Sequence, residues 1–290
     1  MPLPTGVNLA DKFSSKLDDA FKLSSYTDSY INKDYDFDGV NKIKVYSLDT
    51  ADLVDYDMSN NTNRYGGFSE VTDTVNEYTL SHDKAFQKTL DKANEQDSVS
   101  AKTAAKFLAR QMNFRIVPLI DRDRFATAFT AAQDTDGGGT EAYSAADLLD
   151  QIRAMNAVCD EMSVPDAGRA MFIDSFGWND VKDLLTPILN DTSDKVVRTR
   201  GLGGTVDGIN IVKVPSNLLP SGCRALFWHK DALLAARKLT ETKILDGSFV
   251  VSGNIIQGRV RYDSWALKGY DNSTSRYTKL GTFQALTGTP

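Results

Sequence analysis

The chain has 290 residues, 41% of them hydrophobic and 25% charged, enough to bury a full core in one large or two smaller domains. A net charge of −6 argues against a groove-type nucleic-acid binder, which needs a basic patch to neutralise phosphates. No apolar run approaches the roughly 18 residues of a membrane span, and "MPLPTGVNLADKF" lacks the basic-then-apolar pattern of a signal peptide, so the expectation is a protein made in a cytoplasm.

In chain order, "GVNLADKFSSKLDDAFKLSS" places Leu9, Phe13, Leu17 and Phe21 four residues apart, an amphipathic helix with a narrow apolar stripe. Such a stripe packs on its own core or, as a terminal arm, on a neighbouring subunit. "DYDFDG" follows, with Asp34, Asp36, Asp38 and Gly39 spaced like the first half of a calcium loop. The second half fails, because Lys42 and Val45 stand at loop positions nine and twelve, where ligands belong. The stretch reads instead as extended chain whose acidic row pairs with the basic row Lys42 and Lys44, across strands or across subunits.

"KIKVYSL" (42–48) and "EYTLSHDKAFQKTL" (77–90) both alternate and predict two long antiparallel strands, the second with Tyr78, Leu80, Phe86 and Leu90 on one face. The polar connection between them is about two dozen residues, a length uncommon in compact domains unless functional. Its tip carries Arg64, Tyr65 and Phe68, residue types that dominate interface energetics.

From Ser98 to Gln133 the composition turns to alanine and long side chains with one break at Pro118, which predicts a helical rod kinked there. "DTDGGGTE" reads as a flexible connector, and "YSAADLLDQIRAMNAVCDEM" as a helix capped by Ser144 and Asp147 that buries Leu148, Ile152, Met155 and Cys159. Then come a strand in "VPDAGRAMFID", a helix in "WNDVKDLLTPIL", a hairpin in "GTVDGINIVKVP", a buried strand in "CRALFWH", a short helix in "KDALLAARKL" and a long strand region in "SFVVSGNIIQGRVRYDSWALKG". The class is α+β without regular alternation.

Chemical constellations are sparse. "RGLGGT" is the best phosphate-loop candidate, yet Val206 replaces the third glycine of a dinucleotide fingerprint and a strand follows it rather than a helix. Cys159, Cys223, His82 and His229 lack metal-ligand spacing, and neither histidine is placed beside a nucleophile. The reading is therefore of no catalytic residue, no metal and no cofactor.

Five stretches in order, "YDFDGVNKIKVYSLDTADLVDY", "NRYG", "VPDAGRAMFID", "GTVDGINIVKVPSNLLP" and "HKDALLAARKL", are similar to coat-protein segments, and the order of elements resembles the major capsid proteins of tailed bacteriophages with the Hong Kong 97-type fold. The resemblance implies an N-terminal arm (1–40), an extended β-hairpin loop over a neighbour (41–93), a peripheral domain with a long spine helix (94–139), an axial domain (140–243) and a return strand to the peripheral domain (244–290). It further implies self-assembly through hexamers and pentamers into an icosahedral shell around double-stranded DNA held without sequence-specific binding. Portal, and separate scaffolding or decoration proteins, would be its partners, and the virion its location. On that reading the intersubunit contacts are Leu9, Phe13, Leu17, Phe21, Asp34, Asp36, Asp38, Lys42, Lys44, Arg64, Tyr65 and Phe68. Two other readings stay open: an encapsulin-type compartment shell, and an α+β enzyme taking a phosphorylated substrate at the Gly201 to Gly204 loop.

Overall fold

A computed structural model describes residues 25–35, 42–48, 53–60, 62–67, 70–71, 73–91, 104–185, 205–246, 253–271 and 276–288. The elements in chain order are β1 (Lys42–Leu48), β2 (Asp73–Thr79), β3 (His82–Asp91), α1 (Ala104–Gln111), a π-helical turn (Met112–Ile116), α2 (Val117–Ala132), β4 (Gly139–Ala142), α3 (Leu148–Glu161), β5 (Arg169–Asp174) and α4 (Gly177–Leu185). They continue with β6 (Thr205–Val206), β7 (Ile209–Val214), β8 (Cys223–His229), β9 (Leu233–Asp246), β10 (Gly253–Ala266), β11 (Tyr270–Asp271), β12 (Arg276–Tyr277) and β13 (Gln284–Thr287). The described chain divides into two compact units, one of Lys84–Val117 with Leu239–Val260, the other of Ser25–Asp83, Pro118–Lys238 and Arg261–Pro290.

The larger unit is organised on a six-stranded mixed sheet of order β4-β13-β8-β5-β7-β6. β5 is buried along its whole length, because alternate residues serve two cores. Ala170 and Phe172 join Phe125, Ala128 and Trp228 on the face covered by α2. Met171 and Ile173 join Leu148, Ile152, Met155, Cys159 and Trp178, supplied by α3 and α4, on the other. The period of two on the strand thus meets helical stripes on both sides. On the α2 face, Phe172 and Trp228 stack at 4.2 Å, and Phe125 and Tyr30 meet Phe172 edge-on at 5.3 and 5.5 Å. Four rings arranged this way bury a large apolar area in preferred aromatic geometries. β6 and β7 are joined by Asp207 and Gly208, both at positive φ (51° and 80°), the two-residue turn whose twist suits a hairpin.

Residues 25–32 are fastened to α2 by a buried polar network. Asp121 accepts hydrogen bonds from Ser25 Oγ (2.7 Å), Tyr26 N (3.1 Å) and Thr27 Oγ1 (2.6 Å). Arg124 donates to Thr27 Oγ1 (2.8 Å) and Asp28 Oδ1 (2.6 Å). Trp228 Nε1 adds a bond to Tyr30 O (2.8 Å). Satisfying each charge with several hydrogen bonds offsets the cost of its desolvation. Burial alone would push the Asp28 carboxyl up, but the hydrogen bond and charge of Arg124, with Lys33 and Arg237, hold it below the ordinary range.

In the smaller unit, Phe86 of β3 lies against Gly258 of β10, where a Cβ would collide with the ring, and Phe86 meets Phe107 of α1 at 6.4 Å. The chain is helical from Ala104 to Ala132, with a π-helical turn that ends at Ile116, two residues before Pro118. Proline lacks an N–H and its ring crowds the carbonyl four residues earlier; widening the preceding turn relieves both.

Several expectations change. "KDALLAARKL" is strand rather than helix: β9 begins at Leu233, Leu233, Leu234 and Ala236 are buried, and β9 pairs in a three-stranded sheet of order β3-β10-β9. Helix-favouring residue types are overridden by ladder and core. His229 is accordingly the buried last residue of β8, with Nε2 2.9 Å from Ala167 O. "DTDGGGTE" is only partly a connector, since Gly139 starts β4, which pairs parallel with β13. The run 77–90 is two strands rather than one. The break falls at Leu80 and Ser81, where the Ser81 amide is bound to Asp263 Oδ2 (2.8 Å) and so lost to a ladder. The Ser144 and Asp147 side chains do bond each other (2.8 Å), but the helix proper begins at Leu148.

Replacing Asp121 by Ala strands the Ser25, Tyr26 and Thr27 donors and removes the carboxylate 3.7 Å from the buried Arg124, and a loss of about 3 kcal/mol in unfolding free energy is expected by urea titration. Because the folded Asp28 value is depressed, its contribution is complete above the ordinary aspartate value and is lost as pH falls through the lower, folded value. Asp28→Asn should flatten the acid limb of a urea-midpoint-versus-pH curve by that share.

Candidate functional site

β1 and β2 form an isolated two-stranded ladder in unbroken register, from Lys42 opposite Thr79 to Leu48 opposite Asp73. Its base is anchored: Ile43 and Tyr78 pack with Leu80, Leu234, Ala236 and Leu267, and Tyr78 meets Trp265 at 5.6 Å. Lys44 stands opposite Glu77 and bonds it at 3.0 Å, with Lys42 at 3.7 Å. The hydrogen bond to Lys44 is the first cause of a lowered Glu77 carboxyl, and its counterpart raises Lys44. These groups are exposed, so the pair fixes cross-strand register more than it adds stability.

Beyond this base the hairpin and its connection present apolar side chains outward. Tyr46 is 62% exposed, Met58 77%, Tyr65 79% and Val71 75%, with Leu53, Val54, Tyr56 and Val75 also exposed. The remaining large exposed apolar residues among those described, Leu119, Val158, Phe176 and Leu245, fall singly elsewhere. A two-stranded ribbon is at best marginal by itself in water, and a long exposed apolar ribbon marks a surface made to be covered.

The connection nevertheless holds its own shape. Asp57 Oδ1 accepts from Ser59 N (2.8 Å) and Ser59 Oγ (2.5 Å), and Asn60 Oδ1 from Thr62 N (3.0 Å) and Asn63 N (3.1 Å). The Asp57 amide reaches Arg64 O (3.2 Å), and the rings of Tyr56 and Tyr65 meet edge-on at 5.0 Å. Asx turns of this kind replace backbone ladders with short side-chain bonds, so little ordering entropy is left for a partner to offset.

Of the contact residues expected from sequence, Tyr65 is exposed at the tip. Arg64 is exposed too, and its Nε donates to Asn60 O (3.3 Å). Lys42 and Lys44 lie 3.7 and 3.0 Å from Glu77, and the Asp34 amide donates to Asn32 Oδ1 (2.8 Å). Leu9, Phe13, Leu17, Phe21, Asp36, Asp38 and Phe68, and the Gly201 to Gly204 loop, lie outside the described residues. Sequence reasoning passed over Tyr46, Leu53, Val54, Met58, Val71 and Val75. Their signal was apolar side chains set singly into a connection too polar to have a core of its own. Cys159 and Cys223 are buried, and desolvation pushes their thiols to about 11 and about 12, which keeps both protonated and unreactive at neutral pH.

A mixed sheet packed on both faces, a continuous helix carrying the π-helical turn and an outlying two-stranded ribbon together make an α+β fold shared with chains of solved phage capsids. One such chain, from the capsid of cyanophage P-SCSP1u, has a TM-score of 0.70 at 13% identity, covering 97% of this chain and 93% of that one. A chain of the mature capsid of bacteriophage PhiM1 has a TM-score of 0.65 at 14% identity, with 97% and 93% covered. A chain from Mycobacterium phage Che8 has a TM-score of 0.70 at 15% identity, with 98% of each chain covered. No family model matches the sequence, and no curated protein does. At these identities the likeness is one of fold.

Because Met58, Tyr65 and Val71 are solvent-facing, changing all three to Ser should leave the unfolding free energy of the isolated subunit within about 0.5 kcal/mol per site. Denaturant unfolding of the monomeric form checks this.

Proposed function

We propose that this chain is a major capsid protein, a structural subunit that self-assembles through hexamers and pentamers into an icosahedral shell enclosing phage double-stranded DNA. The observation that carries the reading is the exposed apolar ribbon, anchored at its base and preorganised at its tip. The fold shared over nearly the whole chain with solved phage capsid chains supports it. A subunit that remained single would expose this surface to water. A neighbouring copy laid beneath it would bury the surface in an interface of the roughly 1,600 Å² typical of specific contacts.

In this reading residues 1–40 act as the arm, 41–93 as the extended loop, 94–139 as the peripheral domain with its spine helix, 140–243 as the axial domain, and 244–290 as the return to the peripheral domain. Leu9, Phe13, Leu17, Phe21 and Phe68 add apolar contacts between subunits, with Arg64 and Tyr65 at the loop tip. Each contact is modest, and closed symmetry multiplies the set into a stable shell. The role is architectural and needs no catalytic group. A net charge of −6 suits a container that encloses a polyanion without gripping its sequence. Assembly would take place in the host bacterial cytoplasm, with portal and separate scaffolding or decoration proteins as partners.

Sedimentation velocity and negative-stain imaging of the purified chain should show hexamers, pentamers or shells. The Met58, Tyr65 and Val71 triple-serine variant, and a chain lacking Asn60 to Gly67, should remain as soluble folded subunits. Normal shells from both variants, or a wild-type chain that stays monomeric under every assembly condition, would overturn the proposal.

A further inference from the structure

Three residues from distant parts of the chain converge within the larger unit: His82 at the start of β3, Asp123 on α2 and Asp263 on β10. His82 Nδ1 lies 3.3 Å from Asp123 Oδ1 and 3.7 Å from Asp263 Oδ1. That nitrogen is buried and makes no hydrogen bond among the described residues, although the histidine side chain is about 43% exposed. One donor atom from each of the three lies within 4.8 Å of the others.

We propose that His82, Asp123 and Asp263 bind a divalent transition-metal ion, with Zn2+ the best match. An ion held about 2.0–2.2 Å from imidazole nitrogen and carboxylate oxygen places adjacent ligands roughly 3.0–3.6 Å apart, the range into which the His82 distances fall or nearly fall. One imidazole with two carboxylates is a donor set for Zn2+ or Mn2+ rather than for the all-oxygen cages of Ca2+ and Mg2+.

The surroundings hold the donors in place. Asp263 Oδ2 accepts from Ser81 N (2.8 Å) and Ser81 Oγ (2.6 Å), while its Oδ1, which accepts the Ser264 amide (2.9 Å), keeps a second lone pair for an ion. Asp123 Oδ2 accepts from Ser264 Oγ (2.7 Å), itself 2.8 Å from Thr127 Oγ1, which leaves Asp123 Oδ1 facing the histidine. Tyr262 stacks on the His82 ring at 5.2 Å and 24°, fixing the plane in which Nδ1 points. Such outer contacts orient ligands before the metal arrives. The open side at His82 leaves room for water to complete the coordination, and the ion would tie the β3 start and α2 to β10 at the point where the run 77–90 is interrupted.

The test uses the full chain, stripped with a chelator and dialysed, then titrated with Zn2+ and separately with Mn2+ by calorimetry, with metal content read by mass spectrometry. One Zn2+ per chain is expected, with a raised thermal midpoint. His82→Ala, at a half-exposed position that folding tolerates, should weaken Zn2+ binding at least about 100-fold and abolish the midpoint shift. Ser264→Ala should weaken binding about 10- to 100-fold through lost orientation. Asp263→Asn should abolish it, with circular dichroism checking that the variant folds. No stoichiometric Zn2+ on the wild-type chain, or binding undiminished in His82→Ala, would overturn the proposal. Both readouts are taken on unassembled subunits and stand apart from shell formation.

Discussion

Everything in the larger unit depends on β5 being covered on both faces. A strand in that position must satisfy two cores with alternate residues, and "RAMFID" does so with Ala170 and Phe172 on one side and Met171 and Ile173 on the other. Its two ends carry charge into the interior and are neutralised there. Arg169 is held by Asp160 (2.8 Å), Asp166 (3.1 Å) and the carbonyl of Val164 (2.5 Å), with a further short bond to Asn156. Asp174 Oδ1 accepts from the Gly177 amide at the start of α4 (2.7 Å) and from Arg224 (3.3 Å). The strand is thus pinned against sliding along its own axis, since a slip of one residue would exchange the two cores and strand both charges.

The contrast with the β1 and β2 ribbon is one of economy in apolar surface. In the sheet, nearly every large apolar residue finds a partner within the same chain. In the ribbon, Ile43 and Tyr78 pack against the buried cluster, at the end nearest the body of the unit, while Tyr46 and Val75 are exposed. The ordered tip and the register-fixing pair of Lys44 and Glu77 show that this exposure belongs to a built element rather than to a frayed loop. Exposed apolar side chains gathered on one element are unusual on a protein surface, where such residues are normally scattered singly.

Much of the fold was legible wherever a local pattern and its tertiary setting agree. The helical stretch around Pro118, the stripe Leu148, Ile152, Met155 and Cys159, and the strand "CRALFWH" all read correctly because period and burial coincide. "DALLAARKL" misled because alanine, leucine, arginine and lysine favour helix, while the ladder with β10 that decides the matter comes from residues far along the chain. The strand break at Ser81 was invisible for a similar reason: its cause is a carboxylate at residue 263. The exposed ribbon was half legible. Its length and its Tyr65 stood out, but the pairing of Lys42 and Lys44 with Glu77 could be read only after the register was known. The His82 cluster had no spacing to betray it, as its members meet only through the fold.

The place of β13 carries a consequence for how such a subunit is made. It is the last strand of this sequence, yet it lies inside the sheet, parallel to β4 on one side and antiparallel to β8 on the other. While the chain is being synthesised, β8 and β4 therefore wait with open edges, and Leu226 and Phe227 lack the cover that Phe283, Ala285 and Leu286 later give. The sheet closes only after Gln284–Thr287 has been made, well after β4 and β8. This long-range closure is slow by nature and leaves a sticky intermediate. A chain lacking Gln284–Thr287 would leave β4 and β8 unpaired along the edges that β13 joins.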